Sequence, residues 1–198
     1  MKVAVLGSTP LANAVRAGCA EHFDGDPGEG ADVLWVCDSR KYVRPRPGQL
    51  VVLSWPAPVG TCRTWENAGY KDVTFAVIPE NIREATATQD WASQPYLAVG
   101  CRKPDDRLIP LCRPFTNRIF TISPESAEML KIATNTFLAT QIGFGNTLGR
   151  VCKTHDANAN DVVNALRADP RIGDAYIEPG GPPGPHLQRD VDRWEEML

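Results

Sequence analysis

Six short apolar runs, each bounded by polar or turn-forming residues, constrain the fold of this chain more than any other feature. They are Lys2 to Leu6, Asp32 to Cys37, Gln49 to Ser54, Asp72 to Ile78, Pro95 to Gly100 and Arg118 to Ile122. Runs this short and this continuously apolar read as strands buried on both faces, because a half-exposed strand would alternate with polar residues. Between them lie helical or loop signals, beginning with a helix over Leu11 to Ala20. Strand alternating with helix is the pattern of a parallel α/β sheet, and a doubly wound arrangement is expected. Glu21 to Gly30 is too rich in Gly and Asp for a core element and reads as a surface loop, in the place of a second strand.

After the last run, Ser123-Pro124-Glu125 supplies a hydroxyl N-cap, a proline at the first helical position and a carboxylate at the positive end of the dipole. The helical pattern continues to about Lys153. Such a helix exceeds what a small sheet covers, so part of its apolar surface should meet another helix or another subunit. Gly143, Gly145 and Gly149 lie inside it, each costing ~1 kcal/mol relative to alanine unless close packing compensates. Asp161 to Ala168 reads as a short helix, Glu178 to Pro185 as a Gly/Pro loop, and Asp190 to Leu198 as a final helical turn or two. The expected division is residues 1–122 as an abridged Rossmann-like domain and 123–198 as a central helix with a helical tail.

The 198 residues are enough to bury a core. A formal charge of -3 gives no electrostatic reason to expect nucleic acid or an anionic membrane as partner. The six cysteines are scattered, with no CxxC pair and no Cys/His cluster at metal-ligand spacing, so reduced and mostly buried thiols are expected. With no signal-peptide pattern at the N-terminus and no apolar run of membrane-spanning length, a cytoplasmic protein is expected.

Two groups of residues carry chemistry. Gly7-Ser8-Thr9-Pro10-Leu11-Ala12 stands between a strand and a helix, where a dinucleotide fingerprint would place its pyrophosphate on the helix N-terminus. Gly7 keeps the turn glycine and Ala12 is a tolerated third position. Thr9 holds the middle one, where its side chain would crowd the phosphates or its hydroxyl donate to one. A tight turn without a dinucleotide is the alternative. The second group is Lys131 and Asn135, four residues apart and so on one helix face. An ammonium and a carboxamide held there can bind a hydroxyl and stabilise charge on its oxygen.

Ala127 to Ala139, read with Asn146, is similar to the central helix of the UDP-glucose/GDP-mannose dehydrogenase family. Pro79-Glu80-Asn81-Ile82-Arg83-Glu84 resembles that family's Pro-Glu-Phe-Leu-x-Glu segment, and Pro170-Arg171-Ile172-Gly173 its Pro-Arg-Ile-Gly turn. The resemblance implies a Rossmann-type sheet, a homodimer through the central helix, NAD as cofactor, and a sugar or nucleotide sugar as ligand. It further implies that Lys131 and Asn135 hold the substrate and its oxyanion, Glu84 acts in proton transfer, Glu80 orients its neighbours, and Asp190 works with the lysine through water.

Departures from the family pattern limit the chemistry. Gly181 to Asp190 aligns with the family's cysteine loop and places His186 at the nucleophile. A histidine cannot supply the thiolate that traps an aldehyde for a second oxidation, so at most a two-electron oxidation of a sugar alcohol is expected. The register of His186 with Asp190 recommends it as an acid or base at the substrate. Trp55 stands for the family's threonine, and its bulk is expected to fill space in the pocket. The family's second nucleotide-binding domain has no counterpart in these 198 residues. Two readings stay open: a minimal NAD-dependent oxidoreductase, and a catalytically silent dimeric scaffold or ligand-binding relative. A separate polypeptide supplying the missing domain is a third.

Overall fold

The computed structural model describes residues 1–25, 30–41 and 43–198. The chain divides into two compact units, Met1–Lys131 and Ile132–Leu198.

The first unit is built on a seven-stranded sheet of β1 (Lys2–Leu6), β2 (Asp24–Gly25), β3 (Val33–Val36), β4 (Leu50–Leu53), β5 (Thr74–Val77), β6 (Leu97–Cys101) and β7 (Ile119–Ile122), in the order β2-β1-β3-β4-β5-β6-β7. All six predicted strands are present to within two residues. The sheet is mostly parallel, as expected, but β6 runs antiparallel to β5 and β7 follows β6. The apolar runs could not reveal this, since a strand buried on both faces reads the same in either direction. A second correction concerns the predicted loop after the first helix. Asp24–Gly25 pairs in parallel with Lys2 and Val3 as a two-residue strand, so the second strand exists in abbreviated form. The rest of that loop, residues 26–29, lies outside the described residues.

Helices α1 (Pro10–His22), α2 (Thr61–Glu66), α3 (Ala87–Ala92) and α4 (Leu108–Cys112) cover the sheet. Val15, Trp35, Trp91, Leu97 and Phe115 lie in one apolar cluster. Trp35 meets Trp91 edge to face at 5.5 Å, and its indole N–H donates to Ser54 Oγ at 2.8 Å. Ser54 in turn donates to the Ile78 carbonyl, so a buried hydroxyl ties β3 to the ends of β4 and β5. A second cluster, with Val36, Val51, Phe75 and Val77, also takes in Ala127 at the start of the long helix α5 (Pro124–Thr154).

α5 begins and ends where the sequence places it, and Ser123 Oγ accepts the Ser126 N–H at 3.1 Å as its cap. The second unit holds the greater part of α5 together with α6 (Ala159–Arg167) and α7 (Pro185–Glu196). α7 is longer than the turn or two expected at the tail, because Pro185 opens it as an N-terminal proline.

Two of the three helix glycines are explained by close approach. A Cβ on Gly145 would lie 2.5 Å from the Ile177 carbonyl oxygen, and one on Gly149 would lie 2.6 Å from Pro179 Cβ. A Cβ on Gly143 would meet nothing within 4 Å among the described residues, so packing against them does not account for it. Gly145→Ala is therefore expected to lose stability despite alanine's better helix propensity. The obstacle is backbone, which cannot rotate aside, and overpacking costs ~1–3 kcal/mol against a propensity gain of ~1. Urea denaturation reads the difference, and a Gly145→Ala chain more stable than wild type would contradict it. The same substitution at Gly143 is expected to be neutral or stabilising.

Candidate functional site

Three polar side chains on α5, at positions i, i+3 and i+7, are buried: Glu128 at 3% exposure, Lys131 at 9% and Asn135 at 6%. Buried polar groups need partners, and each of the three has them.

In the first unit, Lys131 Nζ donates to Glu80 Oε2 at 3.1 Å, with both side chains nearly buried. Glu80 reaches this position from the irregular segment after β5, where its carboxylate also accepts the Ile82 N–H at 3.4 Å. One helical turn earlier, Glu128 accepts the backbone N–H groups of Gly60 at 2.6 Å and Cys62 at 2.7 Å. It thereby caps α2, whose own N-cap residue Gly60 sits in the left-handed region and offers no side chain. Burial pushes the Glu128 carboxyl above its usual range, against the pull of those two amide bonds. Glu128 was missed from sequence. An acid in register with Lys131 inside an otherwise apolar stretch is the signal that could have found it.

Glu84, the predicted proton-transfer residue, is exposed and opens a short 3-10 turn. The adjoining Arg83 clamps Asp90 through both carboxylate oxygens. The Trp55 ring is half-buried against the second cluster and tilts onto Trp65 at 6.0 Å, which occupies it with its own neighbours.

In the second unit, Asn135 Nδ2 donates to Asp190 Oδ2 at 2.6 Å. Asp190 is fully buried, and it also accepts from Arg189 Nε at 2.9 Å, Arg189 Nη2 at 2.8 Å and Arg193 Nη1 at 3.2 Å. Four donors fill a carboxylate's acceptor sites. Burial raises this carboxyl, but the bonds from Arg189 and Asn135 and the positive charge of Arg189 and Arg193 bring it below its usual range. His186 is exposed in the first turn of α7, not in the Gly/Pro loop. Asn146 laces that loop to α5, donating to the Gly181 carbonyl at 3.1 Å and accepting the Gly180 N–H at 2.7 Å. A groove of about 640 Å³ in this unit is lined by Asn146, Arg150, Lys153 and Asn158 among others, and none of the predicted catalytic residues faces it.

The candidate dinucleotide turn lies between β1 and α1. β2 and β3 flank β1 on opposite sides, which makes the end of β1 a topological switch point. Gly7 has φ 135°, a conformation that side chains rarely adopt, and a Cβ there would come within 2.9 Å of Asp38 Cβ. The switch point, the glycine turn and a positive helix end with no acidic residue in its first turn are the features of a pyrophosphate site, and Thr9 stands in the middle of it. Thr9 Oγ1 accepts the Ala12 N–H at 3.1 Å and donates to the Cys37 carbonyl at 3.1 Å.

Titration should register at two carboxylates held by arginines. A hydrogen bond from Arg40 holds Asp38 down at about 2 from an ordinary 3.8, and one from Arg102 holds Glu125 at about 2 from 4.5. Both folded values are depressed, so the stability these groups contribute is present above their ordinary values and lost as pH falls towards 2. Urea midpoints measured from pH 5 to pH 2 should fall over that window. Arg40→Ala should remove the Asp38 share, and an unchanged profile in that variant would contradict the assignment. Glu128 works in the opposite sense, its raised value favouring the fold at lower pH.

Residues 125–195 match the UDP-glucose/GDP-mannose dehydrogenase family, central domain. UDP-glucose 6-dehydrogenase YwqF of Bacillus subtilis is 32% identical over 139 residues, covering 66% of this chain and 32% of that protein. UDP-glucose 6-dehydrogenase TuaD of the same organism is 30% identical over 140 residues, covering 67% and 30%. The chain thus spans about a third of the length of these curated relatives. Among solved structures, a UDP-glucose dehydrogenase from Pyrobaculum islandicum superposes with a TM-score of 0.73 at 21% identity, covering 100% of this chain and 64% of that one. A 3-hydroxyisobutyrate dehydrogenase from Mycobacterium tuberculosis gives 0.74 at 15% identity, covering 99% and 86%. At these identities the structural matches establish the fold alone. Its N-terminal and central-helix portion makes this chain a relative of the UDP-glucose/GDP-mannose dehydrogenase family.

Proposed function

We propose that the chain is a minimal oxidoreductase that carries out a two-electron oxidation of an alcohol on a sugar or nucleotide sugar, with NAD as cofactor. The observation that carries this reading is the nearly buried Lys131 to Glu80 pair, whose lysine lies within the stretch 125–195 that matches the family's central domain. A lysine retained in a costly position with a dedicated carboxylate is poor packing and good chemistry. Lys131 binds the reacting oxygen and stabilises the negative charge that develops on it, while Glu80 fixes the direction of the ammonium. Asn135, one turn later, donates to the substrate with the amide proton that Asp190 does not take. Glu84 accepts the hydroxyl proton, and His186 contacts the sugar. NAD, held by Gly7, Ser8, Thr9, Pro10 and Leu11, supplies the hydride acceptor when bound. With histidine where the family has its nucleophilic cysteine, the reaction stops at the carbonyl compound.

The assay is reduced-nicotinamide absorbance with purified chain, NAD or NADP, and a panel of sugars and nucleotide sugars. Turnover that disappears in Lys131→Ala supports the proposal. No turnover, together with a melting temperature indifferent to millimolar NAD and nucleotide sugar, would leave the silent scaffold in its place.

The working form proposed is a homodimer through α5. Phe137, Phe144 and Val151 are 63%, 51% and 52% exposed and recur every seven residues. Thr140, Thr147 and Thr154 each follow one of them by three residues in the same heptad pattern, and each hydroxyl is spent on the carbonyl four residues back. The result is a narrow apolar seam of the kind that pairs helices. Phe144→Glu is expected to convert the dimer to monomer in sedimentation equilibrium. A wild-type chain that is monomeric at tens of micromolar would refute the pairing.

A further inference from the structure

We infer that the Thr9 side chain occupies the pyrophosphate position at the start of α1, so that this chain holds a dinucleotide weakly and a single substitution would tighten it. The inference rests on the NAD reading above. In a strand-turn-helix site, it is the missing side chain of the middle glycine that lets a pyrophosphate reach the helix amides. Here the Thr9 hydroxyl takes the Ala12 N–H and gives its own proton to the Cys37 carbonyl, both at 3.1 Å. It bridges the ends of β1 and β3, the two strands between which the ligand would lie.

Of the first three helical residues, Pro10 has no N–H and Ala12 has given its own to Thr9, which leaves the amide of Leu11. Asp38 adds a carboxylate on the far side of Gly7, ionised at neutral pH and bonded at both oxygens to Arg40. An incoming pyrophosphate therefore meets a filled cap and a single amide, where an unobstructed site offers open space and several donors; charge does not decide the matter, since Arg40 neutralises Asp38 and Arg16 bonds the Gly7 carbonyl at 2.9 Å.

The test is isothermal titration of NAD and of ADP-ribose into wild type, Thr9→Gly, Thr9→Ser and Thr9→Val, with melting temperatures recorded without ligand. Glycine is nearly as good an N-cap as threonine, and Thr9 has an ordinary φ of -79°, so the glycine variant should fold. It is expected to bind both ligands roughly tenfold tighter or more, as the freed amide and the vacated space become available. Thr9→Ser should bind like wild type. Thr9→Val removes the hydroxyl but keeps the bulk, and should gain nothing. Measurable binding that is the same in wild type and Thr9→Gly, or equally tightened by valine, overturns the inference and leaves the NAD reading standing. No binding of either ligand by wild type or the glycine variant at millimolar concentration overturns both.

Discussion

Lys131→Met is expected to cost about 3 kcal/mol of folding stability, an effect large enough to threaten a marginally stable chain. The reason is the carboxylate left behind. Glu80 is nearly buried, and its charge is balanced by Lys131 Nζ at 3.1 Å. Removing one member of such a pair leaves the other uncompensated in a poorly solvated place, whereas removing both trades the pair for apolar contact. Lys131→Met combined with Glu80→Leu should accordingly recover most of the loss in urea denaturation. Under the proposed function the double variant is folded but inactive, which separates the chemical role of the lysine from its structural one. A single variant within 1 kcal/mol of wild type would mean that water, not Glu80, balances the ammonium.

Asp190→Ala should be as severe for the second unit, at about 3–5 kcal/mol. Its carboxylate is the common acceptor for Asn135 on α5 and for Arg189 and Arg193 on α7, and its own exposure is zero. Deleting it takes from Asn135, Arg189 and Arg193 the acceptor they share and removes a principal polar tie between the two helices. Hydrogen exchange should show α7 amides losing protection ahead of those in the middle of α5. Retained protection of α7 in this variant would assign Asp190 to chemistry alone. Asp190→Asn, which keeps the shape but loses the charge, is expected to fall between wild type and the alanine variant.

The saturation of Asp190 bears on the role that the family resemblance implies for it. A carboxylate already accepting four bonds has little capacity left for a water shared with a lysine. What it does with certainty of geometry is hold Asn135, so its contribution to turnover in the proposed reaction runs through the orientation of that amide.

How much could be read in advance depended on whether a property was local. Each of the six apolar runs became a strand, and β3 and β4 are buried on both faces, a demand that is written in consecutive residues; the edge strand β7 is an exception, with Phe120 48% exposed. The start of α5 at Ser123-Pro124-Glu125 is equally local, since capping involves only the first turn. Helical spacing puts Lys131 and Asn135 on one face, which any continuous helix enforces, and the resemblance of Ala127 to Ala139 to the family's central helix is what singles the pair out.

Partners in space were another matter. That Glu80 meets Lys131, across 51 positions of sequence, and that Glu128 caps α2, across 66 to 68, follows from how the sheet delivers separate segments to one helix. The reversal of β6 and the two-residue β2 were hidden because strand direction and edge pairing are set by the neighbour, not by the strand's own residues. Thr9 shows the division within one residue: the chain alone places a hydroxyl where a fingerprint has glycine, but only the approach of Cys37 commits that hydroxyl to protein. Sequence thus determined elements, caps and helix faces, which depend on contacts a few residues apart. The tertiary structure decided charge pairing and strand direction, because those energies belong to groups that only the folded chain brings together.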